Sequence, residues 1–199
     1  VLVSHEEKSK AQLRDLQAFL GVSGPPDDHY EKLEGSCQWI DDRNDFREWR
    51  EAEADIDPAQ NRQHTPSVYW VTANPGAGKT VLAGHIVSQF REFNFQHAFY
   101  HFHVGQKALQ SLAGCLRSVA FQMAIQSSAI RATLARLNNE GVIVDQDDAR
   151  SIWMKVFKAA ILQVCCTAFS FHSYRLRFYK SIICVVLTVC YVDIQILGI

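Results

Sequence analysis

The stretch Ala73-Asn74-Pro75-Gly76-Ala77-Gly78-Lys79-Thr80 constrains this chain most, because a glycine-rich loop ending in Gly-Lys-Thr commits the backbone on either side of it. It fits G-x-x-x-x-G-K-[ST] except that Ala73 stands at the first glycine of the pattern. In such a loop, small residues let successive backbone N–H groups curl around phosphate oxygens, and the next helix turns the positive end of its dipole inward. Lys79 is placed to reach the β- and γ-phosphates, and Thr80 to offer its hydroxyl to a Mg²⁺ that bridges them. The predicted nucleotide-binding stretch is therefore Ala73, Asn74, Pro75, Gly76, Ala77, Gly78, Lys79, Thr80 and Val81, with Mg²⁺ and ATP or GTP as its ligands. Gly76 and Gly78 are expected at positive φ, whereas a methyl group at Ala73 is tolerable if φ there is negative.

The motif carries weight only with a strand before it and a helix after it. Ser67-Val68-Tyr69-Trp70-Val71-Thr72 is a β-branched and aromatic run bounded by Pro66 and the loop, which predicts a buried strand of a parallel sheet. Beyond the loop, Leu82, Ile86 and Phe90 recur every four residues with Ala83 and Val87 beside them, predicting an amphipathic helix from about Lys79.

Charge narrows the partners. The formal net charge is −1 from 20 basic and 21 acidic residues, so nothing argues for bulk attraction to nucleic acid or to a membrane surface. Cys37, Cys115, Cys165, Cys166, Cys184 and Cys190 match neither zinc-site nor CxxC spacing, which points to reduced thiols and a cytoplasmic location. Val1 to Arg14 is charged rather than apolar, unlike a signal peptide, and a chain opening on valine reads as a fragment.

Four regions follow. Residues 1–26 form an N-terminal helix, with Leu13, Leu16 and Leu20 on one face, ended by the GVSGPP linker. Residues 27–66 form an adaptor, where Asp45 is placed to cap a helix carrying Phe46 and Trp49. Residues 67–163 are the partial nucleotide domain and residues 164–199 an atypical apolar tail. Within the third region Ala98 to Val104 predicts a second buried strand, whose His101 and His103 share a face but lack a third metal ligand. Leu112, Leu116, Val119 and Met123 mark one helix face, and Ile130, Leu134 and Leu137 another. Asp147 or Asp148 then caps a helix bearing Ile152, Trp153, Val156, Phe157 and Ile161. The expected fold class is α/β: an incomplete, P-loop NTPase-like parallel sheet flanked by helices, with a helical N-terminal adaptor and an apolar C-terminal tail.

These pieces resemble, in their order, the NACHT-type domains of the STAND P-loop NTPases that carry a nephrocystin-like N-terminal segment, as in fungal ankyrin- and WD-repeat proteins. The resemblance runs from about residue 10 to 163. It includes Cys37-Gln38-Trp39 followed by Phe46-x-x-Trp49, the loop from Trp70 to Ala83, Leu116 to Met123, and Ile152-Trp153-x-Lys155-x-Phe157. What it implies is a signal-transduction module whose bound ATP or GTP governs protein partners or self-association. The lead-in is then placed to lie over the nucleotide base, with Trp39 or Ile40 as apolar contact; plain core packing of both is the competing reading.

Hydrolysis needs a further carboxylate near the Mg²⁺ and groups that orient water, and the expected acidic strand end is not found after Gln163. Thr188 to Asp193 is superficially such a strand, which makes Asp193 a weak metal candidate with no second acid after it. The shift in composition at Gln163 reads as translated non-coding sequence replacing the rest of a domain. Ile182 to Val192 is an apolar run of 11 residues broken only by Thr188, short of the roughly 20 that span a bilayer; Arg175, Arg177 and Lys180 flank it, so membrane association stays open but is not favoured. Two other classes stay open: a small P-loop phosphotransferase and a non-catalytic interaction module.

Overall fold

Residues 2–24, 35–51, 69–102, 109–167 and 187–189 are described by a computed structural model. Helix α1 spans Leu2–Leu20, a 3₁₀ turn covers Gln38–Ile40, α2 is Asn44–Glu51 and α3 is Lys79–Glu92. Strand β1 (Tyr100–Phe102) leads to α4 (Leu112–Gln126) and α5 (Ser128–Asn139). A last continuous run comprises α6 (Ala149–Ile152), a π-wound segment (Trp153–Ile161) and α7 (Leu162–Thr167); β2 is Leu187–Val189.

Local chemistry sets the helix ends. Ser111 and Ser127 accept from the N–H of Gly114 and Ile130 at 2.9 and 3.3 Å, and Asp148 from that of Arg150 at 2.9 Å, each satisfying an orphan donor of a first turn. At the other end of α1, the Val22 N–H reaches back to the Gln17 carbonyl at 3.0 Å across Gly21. Gly21 sits at φ 61°, and a Cβ there would come within 2.1 Å of the Gln146 side chain. Arg117, from α4, donates to the carbonyls of Leu20 and Gly21 at 3.2 and 2.6 Å, so a cation closes the negative end of α1.

The larger core is built around α4. Its small residues Ala113, Ala120 and Ala124 are buried along with Val119, Phe121 and Met123, which lets neighbours approach from several sides. Leu16 and Leu20 enter from α1, Ile130 and Leu134 from α5, and Ile152, Val156 and Ile161 from the last helical run, in one cluster. Each such aliphatic side chain, taken wholly from water, contributes about 1.5–3 kcal/mol. In the π-wound stretch the Leu162 N–H bonds the Phe157 carbonyl, five residues back. Trp153 remains 41% exposed, stacked on Phe157 at 5.4 Å.

The extended segment before β1 is held by side chains. Gln122 accepts from the Phe99 N–H at 3.1 Å and donates to the Phe99 carbonyl at 2.8 Å. One turn later Gln126 does the same to His97, at 3.0 and 2.5 Å. Four residues of helix advance about 6 Å and two residues of strand about 6.6 Å, so i,i+4 glutamines match alternate residues of an extended chain. They supply on one side the pairing that a neighbouring strand would otherwise give.

Several expectations hold. Helix α3 begins at Lys79 and buries Leu82, Ala83, Ile86, Val87 and Phe90; Ile130 and Leu134 are buried on α5, and Asp148 caps α6. On α4, Val119 and Met123 of the predicted face are buried and Leu116 packs against the same core, whereas Leu112 is 44% exposed and Ala113 and Cys115 widen the buried side. Asp45 lies inside the first turn of α2 rather than before it, and accepts from the Phe46 N–H at 2.9 Å.

The expected α/β fold is not what forms. The described residues are mostly helical, and their β-structure is one three-residue parallel pairing of Tyr100–Phe102 with Leu187–Val189, not a parallel sheet flanked by helices. Tyr69 to Thr72, the described part of the predicted first strand, has no regular structure, and Trp70 and Val71 are 67% and 37% exposed. A buried strand needs hydrogen-bonding neighbours, and β1 pairs with β2 instead. Helix α3 correspondingly buries its stripe against the lead-in: Leu82, Ile86 and Phe90 join Ile40 and Phe46 in a second cluster, flanked by Cys37, Trp49 and Tyr69. Ser67, Val68, His103, Asp193 and most of the 164–199 tail lie outside the described residues.

Candidate functional site

The loop from Ala73 to Gly78 is exposed throughout and runs directly into α3. Gly76 and Gly78 lie at φ 78° and 81°, the left-handed conformation that a side chain disfavours. A Cβ built at either would meet nothing within 4 Å, so their backbone faces open space and conformation, not crowding, calls for glycine. The turn is closed by Ala77 N–H to Asn74 O at 3.2 Å, and Gly78 caps the helix by accepting from the Leu82 N–H at 2.9 Å. The N–H groups of Lys79, Thr80 and Val81 fall in the first turn, where no preceding carbonyl of the helix can serve them. They are half-buried residues at the positive end of a 14-residue helix.

Lys79 folds back over the loop. Its ammonium donates to the carbonyls of Ala73 and Asn74 at 2.7 and 2.9 Å, which leaves one of its three protons for a further acceptor. The arrangement suits an anion with several oxygens: open backbone donors, a helix N-terminus and one cation. Thr80 follows immediately, half-buried in the same first turn. Among the described residues no group of three or more His, Cys, Asp or Glu side chains is arranged to hold a metal. His101 is buried on β1, its ring 5.5 Å from that of Phe99.

The competing readings for Trp39 and Ile40 separate here. Ile40 is fully buried against Phe46 and α3, which makes it a core residue, whereas Trp39 is 53% exposed. Aromatic rings extend this second cluster: Phe46, Trp49 and Tyr69 have centroids 5.4–5.7 Å apart, and Trp49 lies 6.3 Å from Phe90.

Sequence reasoning missed a polar group on α3. His85, inside the apolar stripe and only 8% exposed, has its Nε2 3.1 Å from Asp41 Oδ2. Gln89, one turn on, donates to Asp41 Oδ1 at 2.7 Å, and Arg50 of α2 pairs with the same oxygen at 3.5 Å. Partial burial opposes the charge on Asp41, but the hydrogen bonds from Gln89 and His85 and the attraction of His85 and Arg50 hold it below the usual carboxylate range. The signal was present as Asp41 next to Ile40 and as His85 and Gln89 at i,i+4, but it is readable only once lead-in and helix are known to touch.

Among the described residues no helix is long and apolar enough to cross a membrane. Comparison with known families gives a match to the model described as nephrocystin 3, N-terminal, over residues 35–171, which takes in the lead-in, the loop and the helices that follow. No curated protein and no solved structure matches the chain. A family match over more than half of the sequence places it: the chain belongs to the nephrocystin 3 N-terminal family.

Proposed function

We propose that the loop Ala73 to Val81 binds the phosphates of ATP or GTP with Mg²⁺, and that the chain is the nucleotide-binding regulatory part of a signal-transduction NTPase of the NACHT-type STAND class. The observation that carries this reading is the exposed Gly76–Gly78 turn, both glycines left-handed, opening straight onto the N-terminus of α3 with the Lys79 ammonium above it. Three kinds of positive potential converge there: backbone N–H groups, the helix dipole and a fixed cation. The reading rests on this loop and not on a parallel sheet. Regulation of protein partners or of self-association in a cytoplasmic setting belongs to the same proposal, through what the family-like order of motifs implies.

Each residue has a defined part. The first-turn N–H groups and those of the glycine turn bind and orient phosphate oxygens; Lys79 neutralises charge between the outer phosphates; Thr80 offers its hydroxyl to Mg²⁺, which supplies charge neutralisation when bound. Binding is the activity proposed, not turnover. Isothermal titration of Mg-ATP and Mg-GTP into the folded chain tests it: saturable binding that Lys79→Ala weakens by at least about tenfold supports it, given that losing a charge-assisted bond costs about 1.5–3 kcal/mol. Absence of binding to either nucleotide, or binding indifferent to Lys79→Ala, removes it.

A further inference from the structure

Helix α3 is fastened to the lead-in in two ways. Leu82, Ile86 and Phe90 press on Ile40 and Phe46, contacts that are strong but non-directional. Asp41 adds direction. Nε2 of His85 and Nε2 of Gln89, a turn apart on one face of α3 and 3.0 Å from each other, lie against its two separate oxygens, and Arg50 closes the group at 3.5 Å from Asp41 Oδ1 and 3.4 Å from Gln89 Oε1. An apolar stripe tolerates a small slide or rotation of a helix, whereas two hydrogen bonds to one carboxylate do not: advancing α3 by a single residue would swing both side chains off Asp41. His85 lies six residues beyond Lys79, about 9 Å along the helix axis. A rigid helix carries a fixed position over that distance to its own first turn.

We propose that Asp41, gripped by His85, Gln89 and Arg50, is a clasp through which the lead-in positions the N-terminus of α3, so that docking of the lead-in and filling of the phosphate loop stabilise one another. The inference rests on the loop being a nucleotide site. His85 is a positioning residue: it acts on the loop through the helix. Coupling of this kind is reciprocal, so bound nucleotide also tightens the lead-in, and residues 35–51 report on the state of the loop to whatever they contact.

Hydrogen exchange on the full chain, with and without Mg-ATP or Mg-GTP, tests the clasp. His85→Leu fills the same space without a donor and is expected to speed exchange at Leu82 and Ala83, in the first turns of α3, and to weaken nucleotide binding on the order of tenfold, within the range usual for coupled sites. His85→Gln, whose amide nitrogen can stand in for Nε2, is expected to restore most of both. Should His85→Leu fail to fold, Gln89→Leu is read in its place. Exchange at the start of α3 that is the same in His85→Leu as in wild type, or a Gln variant no better than the Leu variant, overturns the positioning role. Clasp-dependent exchange in a wild-type chain that binds neither nucleotide overturns the proposed function and, with it, the coupling.

Discussion

Replacing Gln122 with leucine tests whether side chains really substitute for a strand. Gln122 is 5% exposed and satisfies both backbone groups of Phe99, itself 3% exposed, while its second amide proton goes to Ser118 Oγ at 3.2 Å. Leucine of similar size would leave the Phe99 N–H and carbonyl buried and unpaired. Each such group costs about 1–3 kcal/mol, so the pair costs about 2–6, less roughly 1 kcal/mol regained from the more apolar side chain. The expected destabilisation is about 1–5 kcal/mol. Gln126 makes the same two bonds to His97 but is exposed, so water can take its place after Gln126→Leu, and about 1 kcal/mol or less is expected there. Urea unfolding followed by circular dichroism measures both. A Gln122→Leu cost no larger than that of Gln126→Leu would refute the reasoning, because burial is the only difference it relies on.

Phe46→Ala should lower stability by about 3–5 kcal/mol, since the ring is fully buried and its aromatic neighbours cannot collapse into the space; a loss under about 1 kcal/mol in denaturant titration would mean the lead-in does not dock on α3. Burial pushes the Cys115 thiol up to about 12, so site-resolved alkylation at neutral pH should label it only at the rate of unfolding, and fast labelling in the native chain contradicts its place in the core. Burial, aided by nearby Arg91 and opposed by the bond from its Nδ1 to the Phe95 carbonyl at 2.8 Å, lowers the His97 pKa below 6.5. The unfolded chain therefore takes up the proton first as pH falls, so stability is full above about 6.5 and declines from there down to the folded value. NMR titration of the ring checks this, and a midpoint at or above 6.5 contradicts it.

What the sequence made legible was whatever depends on near neighbours in the chain. The α3 stripe, the Ile130 and Leu134 face and the Asp148 cap are local patterns, and each forms where expected. Strand identity is not local. Tyr69 to Thr72 has the residues of a strand but no partner among the described segments, while the pairing that does form brings Tyr100 to Leu187, across the helices α4 to α7 and into the tail. On α4 the apolar spacing places Val119 and Met123 inside, but it does not single out Ala113, Ala120 and Ala124, whose small side chains make the close contacts of a central helix. The glutamines and the His85–Asp41 pair were invisible because a polar residue in the core looks, in sequence, like a polar residue on the surface. In the loop, the glycines predicted to need positive φ adopt it.

Amide chemical shifts of isotopically labelled chain, followed as Mg-ATP or Mg-GTP is added, test the central claim most directly. Saturating shifts centred on Gly76, Gly78, Lys79 and Thr80, lost in Lys79→Ala, are predicted. Shifts confined to other parts of the chain, or none at millimolar nucleotide, would contradict the phosphate-binding role of this loop.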